Sequence, residues 1–160
     1  MCRATTKKIL ETGSIWRSKM FDFFGFGKKA GKTKILVVDD EPNIVQTLKD
    51  RLEMNEYTVF TACNGQEGLE VAKQESPDLI LLDVIMPVMD GHEALENLRQ
   101  AEWGKNISVI MLTARSQAQD ISRAKACDIE DYIIKPFDLS ELLEKIESVL
   151  EHKKSPVCSA

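Results

Sequence analysis

An open α/β sheet of five parallel strands with helices on both faces is the fold class this sequence predicts, and three observations carry the prediction. Five short apolar runs punctuate the chain from Lys34 onward. Between them lie segments whose apolar residues recur at helical spacing. Each run with its following segment takes up roughly 20 to 30 residues, enough for a strand and the right-handed crossover that returns the chain to a parallel sheet.

The first run is Ile35 to Val38, followed by Tyr57 to Ala62, Leu79 to Leu82, Ser108 to Leu112 and Tyr132 to Ile134. These are too short for helices and too continuously apolar for a half-exposed antiparallel sheet, so they predict strands buried on both faces. Val45, Leu48 and Leu52 place a helical stripe after the first strand, Leu69 with Ala72 a shorter one after the second, and Leu95, Leu98 and Ala101 a third. The fourth segment, Ala118 to Ala126, is weakly apolar and predicts the least firmly packed helix. Leu139, Leu142 and Ile146 form the last stripe, behind Asp138 and Glu141 at capping-box spacing. The chain then divides into a loosely held N-terminal extension, residues 1–32, a globular domain, 33–152, and a short tail, 153–160.

A length of 160 residues suffices for one ordinary domain with a real core, and 43% hydrophobic with 29% charged residues is the balance of a soluble globular protein. The net charge of -5 argues against nucleic acid as the main partner, because a phosphate backbone is held by an excess of Lys and Arg. Cys2, Cys63, Cys127 and Cys158 are far apart and make no C-x-x-C pair, and the only histidines are His92 and His152, which disfavours zinc. No charged leader with a long apolar core opens the chain, and no run of about 18 apolar residues occurs. The expectation is a cytoplasmic protein with reduced thiols.

Gly31-Lys32-Thr33 matches the tail of a phosphate-binding P-loop, yet position 26, where the motif needs glycine, is Phe26, and an apolar strand follows the motif instead of preceding it. The chemistry lies beyond it. In an open parallel sheet every loop that follows a strand emerges on one edge, where ligands bind near the switch point in strand order. The residues at the carboxyl ends of the predicted strands are Asp39-Asp40, Asp83, Thr113 and Lys135. Three carboxylates brought together repel and stay ionised only beside a cation. A hard oxygen-donor site suits Mg2+, which keeps several waters of its own. With the lysine, that metal prepares the crevice for a phosphoryl group, with Asp83 as nucleophile and an acyl phosphate as product.

Four segments carry a resemblance: Val37 to Pro42 (VVDDEP), Leu81 to Gly91 (LLDVIMPVMDG), Met111 to Ala114 (MLTA) and Asp131 to Phe137 (DYIIKPF). In this order and spacing, Lys34 to Glu151 resembles the receiver domain of two-component response regulators. The resemblance implies a (βα)5, flavodoxin-like fold with strand order 2-1-3-4-5. It implies that Asp40 binds Mg2+ directly and Asp39 through water, with the main-chain carbonyl of Ile85 as a further ligand. Asp83 accepts phosphate from a phosphohistidine, Lys135 pairs with the phosphoryl group, and Thr113 moves to hydrogen-bond it. Tyr132 occupies the aromatic switch position, and a cis peptide joins Lys135 to Pro136. Asp128-Ile129 stands where the family usually has Gly-Ala; Asp tolerates a left-handed turn, so the loop is expected to persist.

Each of these residues has a plainer reading: Asp39 and Asp40 as helix caps, Asp83 in a loop cap, Thr113 as strand filler and Tyr132 as a core aromatic. Those readings do not explain why all the polar groups fall at the same strand ends. Met86 and Met89 are read as loop packing around Pro87, His92 as a solvated surface residue, and Trp103 as closing a helix end. The expected function is a stand-alone phosphorylation switch and not an enzyme, with no DNA-binding output domain. It would be served by a histidine kinase or phosphotransfer protein and would signal through a protein contact involving residues 118–126, Tyr132 and the last helix. A phosphorelay intermediate or phosphate sink would use the same residues. A metal-dependent aspartyl phosphatase would need Asp-x-Asp-x-Thr, and Asp83 is followed by Val84-Ile85-Met86-Pro87; a flavin carrier would share the fold. Trp16, Met20, Phe23 and Phe24 beside Arg17 and Lys19 would suit a membrane-surface or partner-binding helix, although an extension with no role is the preferred reading.

Overall fold

The computed structural model describes residues 32–114 and 128–154; the predicted helix at 118–126, the N-terminal extension and Cys2, Cys127 and Cys158 lie outside them. Five strands form one parallel sheet: β1 (Lys34–Val38), β2 (Thr58–Ala62), β3 (Leu79–Asp83), β4 (Ser108–Thr113) and β5 (Asp131–Ile134), in the order β2-β1-β3-β4-β5. The described helices are α1 (Pro42–Met54), α2 (Gly65–Glu75), α3 (Gly91–Gln100) and α4 (Leu139–Lys154). The predicted class and strand order are therefore observed.

Alternation along the central strands builds two cores. Ile35, Val37, Leu79, Leu81, Ile110 and Leu112 point to one face and meet Leu48 and Leu52 of α1 and Leu142, Ile146 and Leu150 of α4. Leu36, Val38, Ile80, Leu82, Val109 and Met111 point to the other and meet Ala72 of α2 and Ala94, Leu95 and Leu98 of α3. Each fully buried Leu or Ile removes enough apolar surface from water to contribute about 2 kcal/mol, which is why unbroken apolar runs are needed where both faces are covered. The edge strands differ from expectation: β2 is half-buried over four of its five residues, and β5 ends on exposed Ile134. An edge strand has one neighbour, so helices cover it less completely.

Caps stop and start the helices as the side chains direct. Asn64 caps α2 by accepting from the Glu67 N–H at 2.9 Å, and Glu67 reaches back to accept from the Cys63 N–H at 2.9 Å. Asp90 caps α3 through the Glu93 N–H, and Asp138 accepts from the Ser140 N–H at 2.7 Å, in line with the capping signal read there. The cis peptide between Lys135 and Pro136 is present, and Asp128 adopts a left-handed φ of 56°. Met86 and Met89, read from sequence as loop packing around Pro87, pack against the core on the α2–α3 side. His92 departs from its reading: it is 5% exposed, not solvated. Gly91 lets α3 start so close to the sheet that a Cβ there would lie 2.1 Å from the Asp83 carbonyl oxygen, and the residue after it is enclosed.

Between β3 and α3 the chain makes a tight turn in which the Met89 N–H donates to the Pro87 carbonyl at 2.8 Å. Its central residue, Val88, has φ 70° and is 84% exposed. This is the γ-turn φ that costs a β-branched residue most. Val88→Gly is expected to raise the unfolding free energy by about 0.5–1 kcal/mol, since the strain disappears and almost no packing is lost. Urea denaturation checks this; a loss of stability would show that the turn is unstrained.

Candidate functional site

Parallel strands deliver their carboxyl ends to one edge, and the strand order reverses between β1 and β3. Asp39 and Asp40 leave β1 and Asp83 ends β3, so the acids flank that switch point; Thr113 ends β4 and Lys135 leaves β5. One oxygen from each of Asp39, Asp40 and Asp83 falls within 4.8 Å of the others. Lys135 Nζ reaches back across the edge to Asp39 Oδ2 at 2.6 Å and Asp83 Oδ1 at 3.3 Å. The sequence-predicted acids and lysine thus come together.

Burial differs sharply among them. Asp39 is 1% exposed and Asp83 4%, whereas Asp40 is open to solvent. Asp39 uses its second oxygen, Oδ1, to accept the Glu41 N–H at 2.9 Å. Asp83 Oδ1 accepts the Val84 N–H at 2.9 Å, and the same N–H donates to the Leu112 carbonyl at 3.0 Å, which ties the carboxylate to β4. Burial pushes the Asp83 carboxyl from 3.8 up to about 6; the Asp39 charge adds to the rise, and Lys135 opposes it. Burial pulls Lys135 down, but its bond to Asp39 and the Asp83 charge outweigh this and leave its ammonium above the ordinary lysine value.

Thr113 is fully buried, and its carbonyl accepts the Lys135 N–H at 2.6 Å, joining the ends of β4 and β5. Tyr132 pairs in register with Met111 and packs, half-buried, against the core on the α2–α3 side. Ile85 is half exposed in the loop two residues beyond Asp83. Glu41, which sequence reasoning did not single out, joins the site with Oε1 3.7 Å from Lys135 Nζ. Its signal was adjacency in the Asp-Asp-Glu-Pro run.

The donor set suits a divalent hard cation, since three carboxylates and one ammonium leave an excess of negative charge. Asp40, exposed beside two buried acids whose oxygens already bind N–H groups, is the carboxylate most open to a metal.

A five-stranded parallel sheet with an acidic trio and a lysine at its switch point defines a receiver. The chain belongs to the response regulator receiver domain family, which matches residues 35–147. Over 128 residues it is 41% identical to "Probable transcriptional regulator ycf27" of Cyanophora paradoxa, covering 80% of this chain and 52% of that protein. It is 40% identical over 121 residues to the alkaline phosphatase synthesis transcriptional regulatory protein PhoP of Bacillus subtilis, covering 76% of this chain and 50% of that one. A CheY-like response regulator receiver domain protein from Methanospirillum hungatei superposes with a TM-score of 0.74 at 31% identity, over 78% of this chain and 98% of the other.

The chain spans about half the length of the curated relatives it matches. They are named as transcriptional regulators, and one from Synechocystis, 39% identical, is named DNA-binding. This overturns the expectation of a stand-alone switch with no DNA-binding output. The physical reason is that site residues and net charge describe the receiver alone; an acidic receiver serves outputs of any charge. Among the described residues no helix is long and apolar enough to cross a membrane.

Proposed function

We propose that the chain is the phosphoacceptor module of a response regulator that controls transcription, receiving a phosphoryl group on Asp83 from a histidine kinase or histidine phosphotransfer protein. The observation that supports it most directly is the convergence of Asp39, Asp40, Asp83 and Lys135 at the sheet's switch point. The transcriptional setting rests on the curated relatives.

Mg2+ would be held by Asp40 and Asp83, with Asp39 and the Ile85 carbonyl contributing, and when bound it neutralises charge on the phosphoryl oxygens. Asp83 attacks phosphorus with a carboxylate oxygen: a P–O bond forms, the donor's P–N bond breaks, and the electron pair stays on the imidazole. Asp83 Oδ1 is held by the Val84 N–H and Lys135, which leaves Oδ2 for attack. A carboxyl titrating at about 6 is largely ionised at pH 7, as a nucleophile requires. Lys135 then shifts from Asp39 toward the new phosphoryl oxygens, and Thr113 donates its hydroxyl to one of them. Because those contacts exist only in the phosphorylated form, they supply the energy difference that biases Tyr132 and the neighbouring surface. Turnover is confined to self-phosphorylation by small donors and self-dephosphorylation, in a cytoplasmic setting.

Incubated with acetyl phosphate, the wild-type chain should gain one phosphoryl mass with Mg2+ and none with EDTA. Unchanged mass under both conditions would overturn the proposal.

A further inference from the structure

The loop that carries Asp83 into α3 is braced from an element that contributes nothing to the acidic trio. The Gly65 N–H, in the first turn of α2, donates to the Met89 carbonyl at 3.2 Å. A Cβ on Gly65 would stand 2.8 Å from that oxygen, 2.9 Å from Met89 Cγ and 2.9 Å from the Ala94 methyl. Only glycine lets α2 meet both the loop and α3 this closely. The helix start is itself fixed, because Asn64 caps it through Glu67 and Glu67 returns to the Cys63 N–H.

On the other side of the contact lies the strained turn. Met89 closes the Pro87–Val88–Met89 turn with Val88 at φ 70°, and Gly91 donates to the Val84 carbonyl at 2.9 Å. A strained turn persists only where its surroundings over-determine it. From Met89 the covalent path runs back through Ile85 to Asp83, whose Oδ1 is held by the Val84 N–H. We infer that Gly65 is a positioning residue for phosphoryl acceptance: it clamps Met89, and through the turn fixes the loop that presents Asp83 and the Ile85 carbonyl. This rests on the phosphoacceptor reading and adds to it a residue outside the site.

The test uses the full chain as wild type, Gly65→Ala, Asn64→Ala and Gly104→Ala, each below its unfolding midpoint. Gly104→Ala is the control: its Cβ would lie 2.3 Å from the Leu98 carbonyl oxygen, in the loop at the opposite edge of the sheet. Two quantities are read, amide exchange over residues 84–91 and the rate of phosphoryl uptake from acetyl phosphate with Mg2+. In Gly65→Ala, exchange at Val84 and Gly91 should accelerate about tenfold and uptake should slow by about fivefold or more, since a small misplacement of reacting groups is costly. Asn64→Ala, which removes a cap without adding bulk, should move both the same way by about threefold; it decides the matter should Gly65→Ala not fold. Gly104→Ala should match wild type in both. Wild-type exchange and uptake in Gly65→Ala and Asn64→Ala, or equal slowing in Gly104→Ala, would overturn the clamp. If the wild type takes up no phosphoryl group while the exchange pattern holds, the loop brace stands and the phosphoacceptor reading falls.

Discussion

Asp83→Asn is expected to take up no phosphoryl group from acetyl phosphate and Mg2+, while the wild type should gain one. Replacing the carboxylate by an amide removes the anionic nucleophile and lowers the rate by at least about a thousandfold, below detection by intact-mass measurement. The rival acceptors are disfavoured by their surroundings: both Asp39 oxygens are engaged, by Lys135 and by the Glu41 N–H, and Asp40 stands at the solvent edge. A persistent adduct in Asp83→Asn would move the acceptor to one of those neighbours and refute the assignment.

The same variant should gain stability at neutral pH when metal is absent. Folding raises the Asp83 carboxyl from 3.8 to about 6, so the folded chain binds this proton more tightly than the unfolded one. The stabilisation is fully present below pH 3.8 and is lost as pH rises through about 6. Across that window the wild type loses about 3 kcal/mol that an uncharged asparagine does not. In EDTA, urea denaturation should find Asp83→Asn more stable by up to about 3 kcal/mol at pH 7 and nearly equal to wild type close to pH 4. Saturating Mg2+ should narrow the gap at pH 7 by stabilising the wild type. An Asp83→Asn that is less stable than wild type at pH 7 in EDTA would show that Lys135 and the Val84 N–H outweigh burial.

The first of these outcomes was within reach of the sequence because a doubly covered parallel strand must be apolar until it ends. In Leu79 to Asp83 the polar residue marks both the strand's end and the ligand edge, so Asp83 declared itself. Asp39, Asp40, Thr113 and Lys135 were legible for the same reason. What escaped notice depends on neighbours that no single segment carries. The half-exposure of β2 comes from its place at the sheet's edge, and the burial of His92 from the approach that Gly91 permits. Val88 opposes its own propensity: a β-branched residue predicts extended backbone, and tertiary context imposes a positive φ. Glu41 went unnoticed because its reach toward Lys135 joins the ends of β1 and β5, strands far apart in sequence. The output was illegible for another reason. Receivers that serve different outputs need the same phosphoryl chemistry, so the site residues could not separate a stand-alone switch from a module of a transcriptional regulator.

The contact between Lys135 and Asp39 joins positions 96 residues apart. During synthesis the acidic residues therefore emerge from the ribosome well before the lysine that balances them, and a chain still being translated holds three mutually repelling carboxylates with no strand β5 beside them. The incomplete sheet is open along β4 at that stage and gains its ammonium only when the last strand docks. On the proposed phosphoacceptor reading, the charge balance of the site is therefore complete only once β5 has docked beside β4.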